Sequence, residues 1–354
     1  MTLGLVYHED YLLHEHAPTH PERRERLMYT MDQLEEEGVF DLPAVELLTP
    51  EPAPIDALRR VHTEEYLDEL RTMSDRGEGS LSPDTHVSEH TWHTVLLAVG
   101  GAMQAGEAVT EGRYDETFVM SRPGGHHAHP DRGHGFCFVN NSAVAIRHLQ
   151  ATTDVEDVMI WDWDAHHFDG TQEIFYDDPS VLAVSTHQTG RTLFPGTGFP
   201  DEVGEGDGEG YTVNVPLMPK TGDEGYRRVV DEVFEPLARQ FDPDLLWIEA
   251  GQDNHFTDPI TDLGVTAQGY ADMMAHAVDT ADAVCDGRIV ATLCGGYGIE
   301  GGLPYTNLAV IAALAGLDTA TIREPAIYEP PRGEPGVDGV LAQVKRELAP
   351  YWEL

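Results

Sequence analysis

The segment richest in side chains able to do chemistry is Asp162-Trp-Asp164-Ala-His166-His167-Phe-Asp169. Where a strand runs out, residues at i, i+2 and i+4 share a face, so Asp162, Asp164 and His166 can point together. Two carboxylates and an imidazole form a hard-to-borderline donor set suited to Zn2+ or Fe2+ and lacking any soft ligand. A second cluster, Arg122-Pro-Gly-Gly-His126-His127-Ala-His129, places adjacent imidazoles behind two glycines that let backbone approach closely. Aspartates of the first cluster facing these imidazoles would each hold an N–H, fix the tautomer and raise the basicity of the ring. A third cluster, Ala250-Gly-Gln-Asp253-Asn-His-Phe-Thr-Asp258-Pro259, offers two aspartates. One of them would complete a three-ligand metal site while the other braces the loop. The fourth, Gly295-Gly296-Tyr297, sets a phenol on a glycine turn, where it can donate to a developing oxyanion.

Each cluster begins at the C-terminal end of a short apolar run. The runs Thr117–Met120, Val158–Trp161, Val181–Val184, Tyr211–Val215, Leu245–Ile248 and Ile289–Leu293 are rich in β-branched and aromatic residues and too short for helices. Val184 leads to Ser185 and His187 in the same way. Between the runs, Trp92–Thr110, Asn140–Gln150, Asp223–Gln240 and Ala267–Val284 have amphipathic helical patterns, and Thr221-Gly-Asp-Glu224 reads as a capping box. Pro21–Glu37 and Ile55–Thr72 read as further helices near the N-terminus, and one more is expected after the Pro-rich Glu324–Pro335. Strands alternating with helices imply a mainly parallel α/β sheet covered on both faces, here as a single domain spanning 1–354 with no linker. In such sheets ligands bind outside the carboxyl ends of the strands, where these clusters converge.

Composition narrows the function further. The chain has 63 acidic and 21 basic residues, a formal net charge of −42, and its lysines are Lys220 and Lys345 alone. This balance argues against a basic nucleic-acid-binding face. The apolar share of 41% argues against disorder. No apolar run reaches membrane-spanning length, and Met1–Asp10 lacks the basic and apolar regions of a secretory signal. Acidic residues spread over the whole chain suggest adaptation to high salt, where a Debye length of about 3 Å screens self-repulsion. Cys137, Cys285 and Cys294 share no CxxC spacing, which excludes a disulfide framework and thiolate zinc and points to a reducing cytoplasm.

Taken together, these motifs resemble the histone deacetylase family, in the class II and bacterial or archaeal branch of the arginase–deacetylase fold. The segments that carry the resemblance are His20-Pro-Glu-Arg-Arg, Arg122 to Ala128, Gly133 to Asn141, Asp162 to Gln172, Leu193 to Gly198, Asp253 to Pro259 and Gly295 to Tyr297. The resemblance implies one catalytic Zn2+ on Asp164, His166 and Asp258. It implies His127 as general base and then acid, His126 as its electrostatic partner, and Asp162 and Asp169 as their respective carboxylates. Tyr297 would polarise the scissile carbonyl. Gly135, Phe136 and Phe194 would wall a narrow acyl-lysine tunnel, and Asp162 with Ser185 would hold a structural K+. Gly124, Phe168, Thr257 and Cys294 depart from the family's usual wording; Phe168 brings bulk next to the site, and none removes a ligand.

The implied activity is zinc-dependent hydrolysis of acetyl-lysine or a similar acylated amine by metal-activated water with a histidine general base. The partners are then an acetylated protein or small amine, with no nucleic acid and no membrane, and a homo-oligomer is possible. An acetylpolyamine deacetylase is the near alternative. Ile260 stands where a polyamine-selecting branch has an acidic gatekeeper, although Asp75, Glu78 or Asp84 offers loop acids for that task. A two-Mn2+ ureohydrolase and a non-catalytic acetyl-ligand sensor are the distant alternatives. His8, His14, His16 and His20 read as loop histidines rather than a second metal site, Met273 and Met274 as core, and Cys137 as no nucleophile.

Overall fold

A computed structural model describes residues 2–325, 329–331 and 333–354, so the expected Pro-rich stretch at Glu324–Pro335 lies partly outside the described residues. Eight strands form one sheet: β1 (Leu3–Val6), β2 (Val45–Leu48), β5 (Glu116–Val119), β6 (Val158–Asp162), β7 (Val181–Gln188), β8 (Thr212–Leu217), β9 (Leu245–Ala250) and β10 (Ile289–Leu293). The remaining two, β3 (Glu78–Ser82) and β4 (Thr85–Ser88), make a separate antiparallel hairpin. The sheet order is β2-β1-β5-β10-β9-β6-β7-β8, and every pairing in it is parallel. All loops that leave the sheet strands at their carboxyl ends therefore emerge along one edge.

The alternation of the strands divides the core in two. Met159 and Trp161 of β6 join Leu182, Val184, Leu246 and Ile248 on one face, under the helices Glu25–Glu36, Ala267–Val284 and Gly302–Leu314. Val158 and Ile160 join Val181, Leu245 and Trp247 on the other, under Glu64–Arg76, Thr91–Thr110 and Asn141–Thr152. Strands buried on both faces explain their near-continuous apolar runs. No helix among the described residues is long and apolar enough to cross a membrane.

Local chemistry modifies several expected helices. The stretch expected as one helix from Asp223 is two, Asp223–Val229 and Glu235–Phe241, joined by a π turn at Val230–Phe234. Pro236 has no N–H to give to the preceding turn, and the ladder shifts around it. The turn is not idle, because Phe234 stacks on Trp161 with ring centroids 4.1 Å apart. The capping box does not form: the cap residue is Gly222, and the Thr221 hydroxyl donates to the Met218 carbonyl at 2.7 Å. Ile55–Thr72 is likewise divided into Ile55–Leu58 and Glu64–Arg76, the second capped by Thr63, whose hydroxyl accepts from the Tyr66 N–H.

One buried acid at the start of β5 sets a pH response. Glu116 is 2% exposed and its Oε2 has no partner. Burial first, then Asp115 and Asp282, push its carboxyl up to about 8. The folded state thus holds a proton that the unfolded chain releases near pH 4.5. This contribution is complete below the unfolded value and is lost as pH rises through 8. Glu116→Gln is expected to flatten that slope and to gain ~2 kcal/mol at pH 9 relative to pH 5, read from urea unfolding at the two pH values.

Candidate active site

The loop after β5 carries His126 and His127, and β6 ends on Asp162 with Asp164 and His166 just beyond. The loop after β9 carries Asp253 and Asp258, and that after β10 carries Tyr297. Asp162 is in register with Ser185 of β7 and with Glu249 of β9. β7 runs further than expected, through Ser185 and His187 to Gln188, so these two share a face within the strand; the Ser185 hydroxyl lies 2.8 Å from His187 Nδ1.

Two imidazole–carboxylate pairs stand side by side. His126 Nδ1 is 2.8 Å from Asp162 Oδ2, and His127 Nδ1 is 2.7 Å from Asp169 Oδ1. The rings of His126 and His127 are 4.1 Å apart. Burial resists charge on His126, but Asp162 and Asp164 outweigh it and push the imidazole up to about 10. Burial and the neighbouring cation on His126 bring His127 down to about 3, with Asp169 pulling the other way. The pair therefore divides into one charged ring and one neutral ring with a free lone pair. Asp169 overcomes its burial through bonds to His127, His129 and His134 and lies well below the usual carboxylate range.

The atoms that meet at the end of β6 are carried by Asp164, His166 and Asp253, all buried and within 4.8 Å of one another. His166 Nδ1 lies 3.1 Å from Asp164 Oδ1 and 2.9 Å from Asp253 Oδ2. Asp258 is turned toward the last loop, accepting from the Tyr297 N–H at 2.8 Å and the Ile260 N–H at 3.0 Å. Of the two aspartates that the sequence offers, the structure thus sets Asp253 nearest the imidazole and Asp258 against the tyrosine. Burial, joined by the charge of Asp253, pushes Asp258 up to about 8. Burial also raises Asp253, beside Asp164, and Glu249. Glu249 is 2% exposed and its Oε1 has no partner. So dense a group of buried carboxylates fits a divalent cation, and two carboxylates with one imidazole is a fitting donor set for Zn2+. Backbone packs closely here, since a Cβ on Gly295 would come within 2.4 Å of Asp253 Oδ2 and 2.5 Å of Asp164 Oδ2.

A cavity of about 280 Å3 opens over these groups, lined by His127, His166 and Tyr297 together with Gly135, Phe136, Leu193, Phe194, Ile260 and Asp84. Phe136 meets the Tyr297 ring edge-on at 5.8 Å, and Phe194 meets His127 at 5.1 Å. Gly135 has φ +56°, and a Cβ there would meet His127 Cδ2 at 2.5 Å. Phe168, expected to crowd the site, is fully buried against His167 and does not line this cavity.

Beneath Tyr297 lies a group of charges that motif reading did not identify. The Arg26 guanidinium sits 5.0 Å from the tyrosine ring centroid and donates to the Gly296 carbonyl at 2.6 Å and the Cys294 carbonyl at 2.5 Å. Glu22 holds Arg26 at 3.1 Å and receives both Nε and Nη2 of Arg122, at 2.8 and 2.7 Å. The spacing of Glu22 and Arg26, four apart at a helix entrance, was the available signal. His14 and His16, loop histidines as expected, gather on this same Glu22. Cys137, Cys285 and Cys294 are free thiols, all buried, and burial pushes the Cys137 thiol well up, consistent with no nucleophilic role. Met273 and Met274 belong to the core.

Comparison with known proteins bears directly on this arrangement. A family model described as the histone deacetylase domain matches residues 20–314. A probable deacetylase of Archaeoglobus fulgidus is 52% identical over 360 residues, covering 100% of this chain and 99% of the relative. A histone deacetylase-like amidohydrolase of Pseudomonas aeruginosa is 36% identical, covering 86% of this chain and 78% of the relative. The crystal structure of the HDA15 HD domain superposes with a TM-score of 0.89 at 33% identity, covering 99% of this chain and 96% of that one.

Proposed function

The chain belongs to the histone deacetylase family, and from that premise we propose that it is a zinc-dependent amidohydrolase removing acetyl groups from lysine side chains or similar acylated amines. The observation that carries this reading is that His127, His166 and Tyr297 line one cavity together with Phe136 and Phe194. Such walls admit a thin alkyl chain and bring its terminal amide to the histidine and the phenol.

Zn2+ held by Asp164, His166 and Asp258, with Asp253 as a further carboxylate beside the imidazole, would supply Lewis-acid polarisation of the amide carbonyl and a more acidic water. His127, neutral and aimed by Asp169, takes the proton of the attacking water and passes it to the departing amine nitrogen. The charge on His126, shared with Asp162, stabilises negative charge gathering beside it. Tyr297 donates its O–H to the carbonyl oxygen as that oxygen gains charge. Asp162 and Ser185, paired in register, would hold a structural K+.

A specific feature favours an acetylated polyamine as the second substrate class: Asp84 is the carboxylate among the residues lining the cavity. Hydrogen bonds from Ser82 and Thr85 overcome its partial burial and hold it below the usual carboxylate range, so it is an anion available to a cationic chain. Turnover of an acetyl-lysine peptide against acetylputrescine, with Zn2+ in molar KCl, decides between them. Hydrolysis of neither would end the catalytic reading.

The third metal ligand has its own test. Asp258→Asn is expected to weaken Zn2+ binding by more than about 1,000-fold, whereas Asp253→Asn keeps the metal with affinity weakened by about 10-fold. Metal analysis after dialysis gives the answer. The reverse ranking would move the ligand role to Asp253.

A further inference from the structure

We propose that His129, His134 and Asp169 form a second divalent-cation site, of the nitrogen–oxygen type that Zn2+ takes, at the surface edge of the catalytic histidine pair. His129 Nε2 lies 3.1 Å from His134 Nε2 and 3.2 Å from Asp169 Oδ2. His134 Nε2 lies 3.0 Å from the same oxygen. Three donor atoms thus form a nearly equilateral triangle. Ligands held tetrahedrally at 2.0–2.1 Å from a zinc ion stand about 3.3 Å from one another, so the triangle has the dimensions of one face of such a site.

The surroundings are those of a metal ligand set. His129 Nδ1 is 2.6 Å from Glu173 Oε2, a carboxylate partner of the kind that orients a metal-bound imidazole, and Nε2 is turned to the triangle. That Nε2 faces the Nε2 of a second imidazole and a carboxylate oxygen, and a cation between the three would take the place of the protons that the rings give to Asp169. Arg132 is the nearby cation; its Nη2 lies 2.9 Å from His129 Nδ1 and 3.0 Å from Glu173 Oε2, and it also pairs with Asp131, so Asp169, Glu173 and Asp131 together outweigh it. The triangle opens onto a cavity of about 580 Å3 lined by His129, Arg132, His134, Asp169, Glu173 and Tyr176 among others, which leaves room for water at the remaining coordination positions.

A cluster of two histidines and a carboxylate elsewhere does not meet the same conditions. His14, His16 and Glu22 also converge, but Glu22 is already held by the guanidiniums of Arg26 and Arg122. A divalent cation there would sit among buried positive charges. At Asp169 the balance is the opposite.

Occupancy would be felt at the reaction. Asp169 Oδ1 holds His127 Nδ1 at 2.7 Å, so a cation on Oδ2 draws charge from the carboxylate and weakens its hold on that ring. This kinetic consequence rests on His127 as the base; the metal count does not.

The experiment is equilibrium dialysis against Zn2+ followed by metal analysis of the full chain and three variants. The expected result is about two Zn2+ per chain in the unaltered protein and about one in His134→Ala. His166→Ala should also retain about one, because it removes the other site. Excess Zn2+ should slow turnover of the unaltered protein about tenfold and leave His134→Ala at its own rate. His134 is partly exposed, and retention of one Zn2+ in its variant reports an intact fold. Binding of a single Zn2+ that His134→Ala does not disturb overturns the proposal. So does a second Zn2+ that is lost in His16→Ala instead. A failure confined to His166→Ala, which keeps both ions, would count against the catalytic-metal reading and leave the second site standing.

Discussion

Replacing Tyr297 with phenylalanine is expected to lower kcat by about 10²–10³-fold while bound metal stays at the level of the unaltered protein. The substitution removes one O–H and little else. The ring keeps its place because Arg26 lies 5.0 Å from its centroid, the Tyr297 N–H is held by Asp258 at 2.8 Å, and Arg26 also ties down the Gly296 and Cys294 carbonyls. Burial, with Arg26 pulling against it, keeps the phenol well above its ordinary value, so the group enters the reaction as a donor. A donor that acts on the oxygen only as charge develops affects kcat more than KM. Steady-state rates with an acetyl-lysine peptide, alongside metal analysis, test this. Loss of metal in the variant would show that Tyr297 shapes the ligand set instead.

His127→Ala is expected to lower kcat by about 10²–10⁴-fold with a much smaller change in KM. The magnitude follows from the division of labour between the two rings. His126 is kept charged by Asp162 at 2.8 Å and by Asp164 beyond it, and so has no lone pair to offer. His127, brought down to about 3 by burial and by the charge next to it, is the ring that can accept a proton. No neighbour replaces it in the cavity, because His166 is engaged through Nδ1 with Asp164 and Asp253. A residual rate within tenfold of the unaltered protein would mean that another group takes the proton.

Much of the arrangement of this site is legible in the sequence, for a physical reason. Strands buried on both faces must be apolar throughout, so Val158–Asp162 or Ile289–Leu293 announces itself, and whatever polar residue follows is at the ligand edge. The resemblance then supplied the roles to expect of them. Less legible were elements without contrast. Gly302–Leu314 is buried on nearly every side and carries no amphipathic stripe, so no periodicity marks it. Leu3–Val6 and Val45–Leu48 are four residues each, too short to stand out. The Glu22–Arg122 pair joins positions a hundred apart, which no local pattern reports. The choice between Asp253 and Asp258 depends on how one loop turns, and spacing alone leaves both within reach. The failed capping box at Thr221 shows the converse: a local motif was present, and the nearby Met218 carbonyl captured its hydroxyl.

The order of strands in the sheet also decides when the protein becomes whole. β10, the last strand in sequence, lies between β5 and β9. Before it arrives, β2-β1-β5 and β9-β6-β7-β8 are separate part-sheets with no shared hydrogen-bonded edge. A nascent chain that has not yet reached Ile289 can shelter neither of those edges, and the loop bearing His126 and His127 has no fixed relation to the one bearing Asp164 and His166. Parallel pairings across such distances in sequence form slowly, because loop closure must precede the contacts that repay it. Assembly of the sheet is therefore completed at its middle: the strand that fastens the two part-sheets together is followed at once by Tyr297, so the loops of the candidate site come together only when that strand is in place.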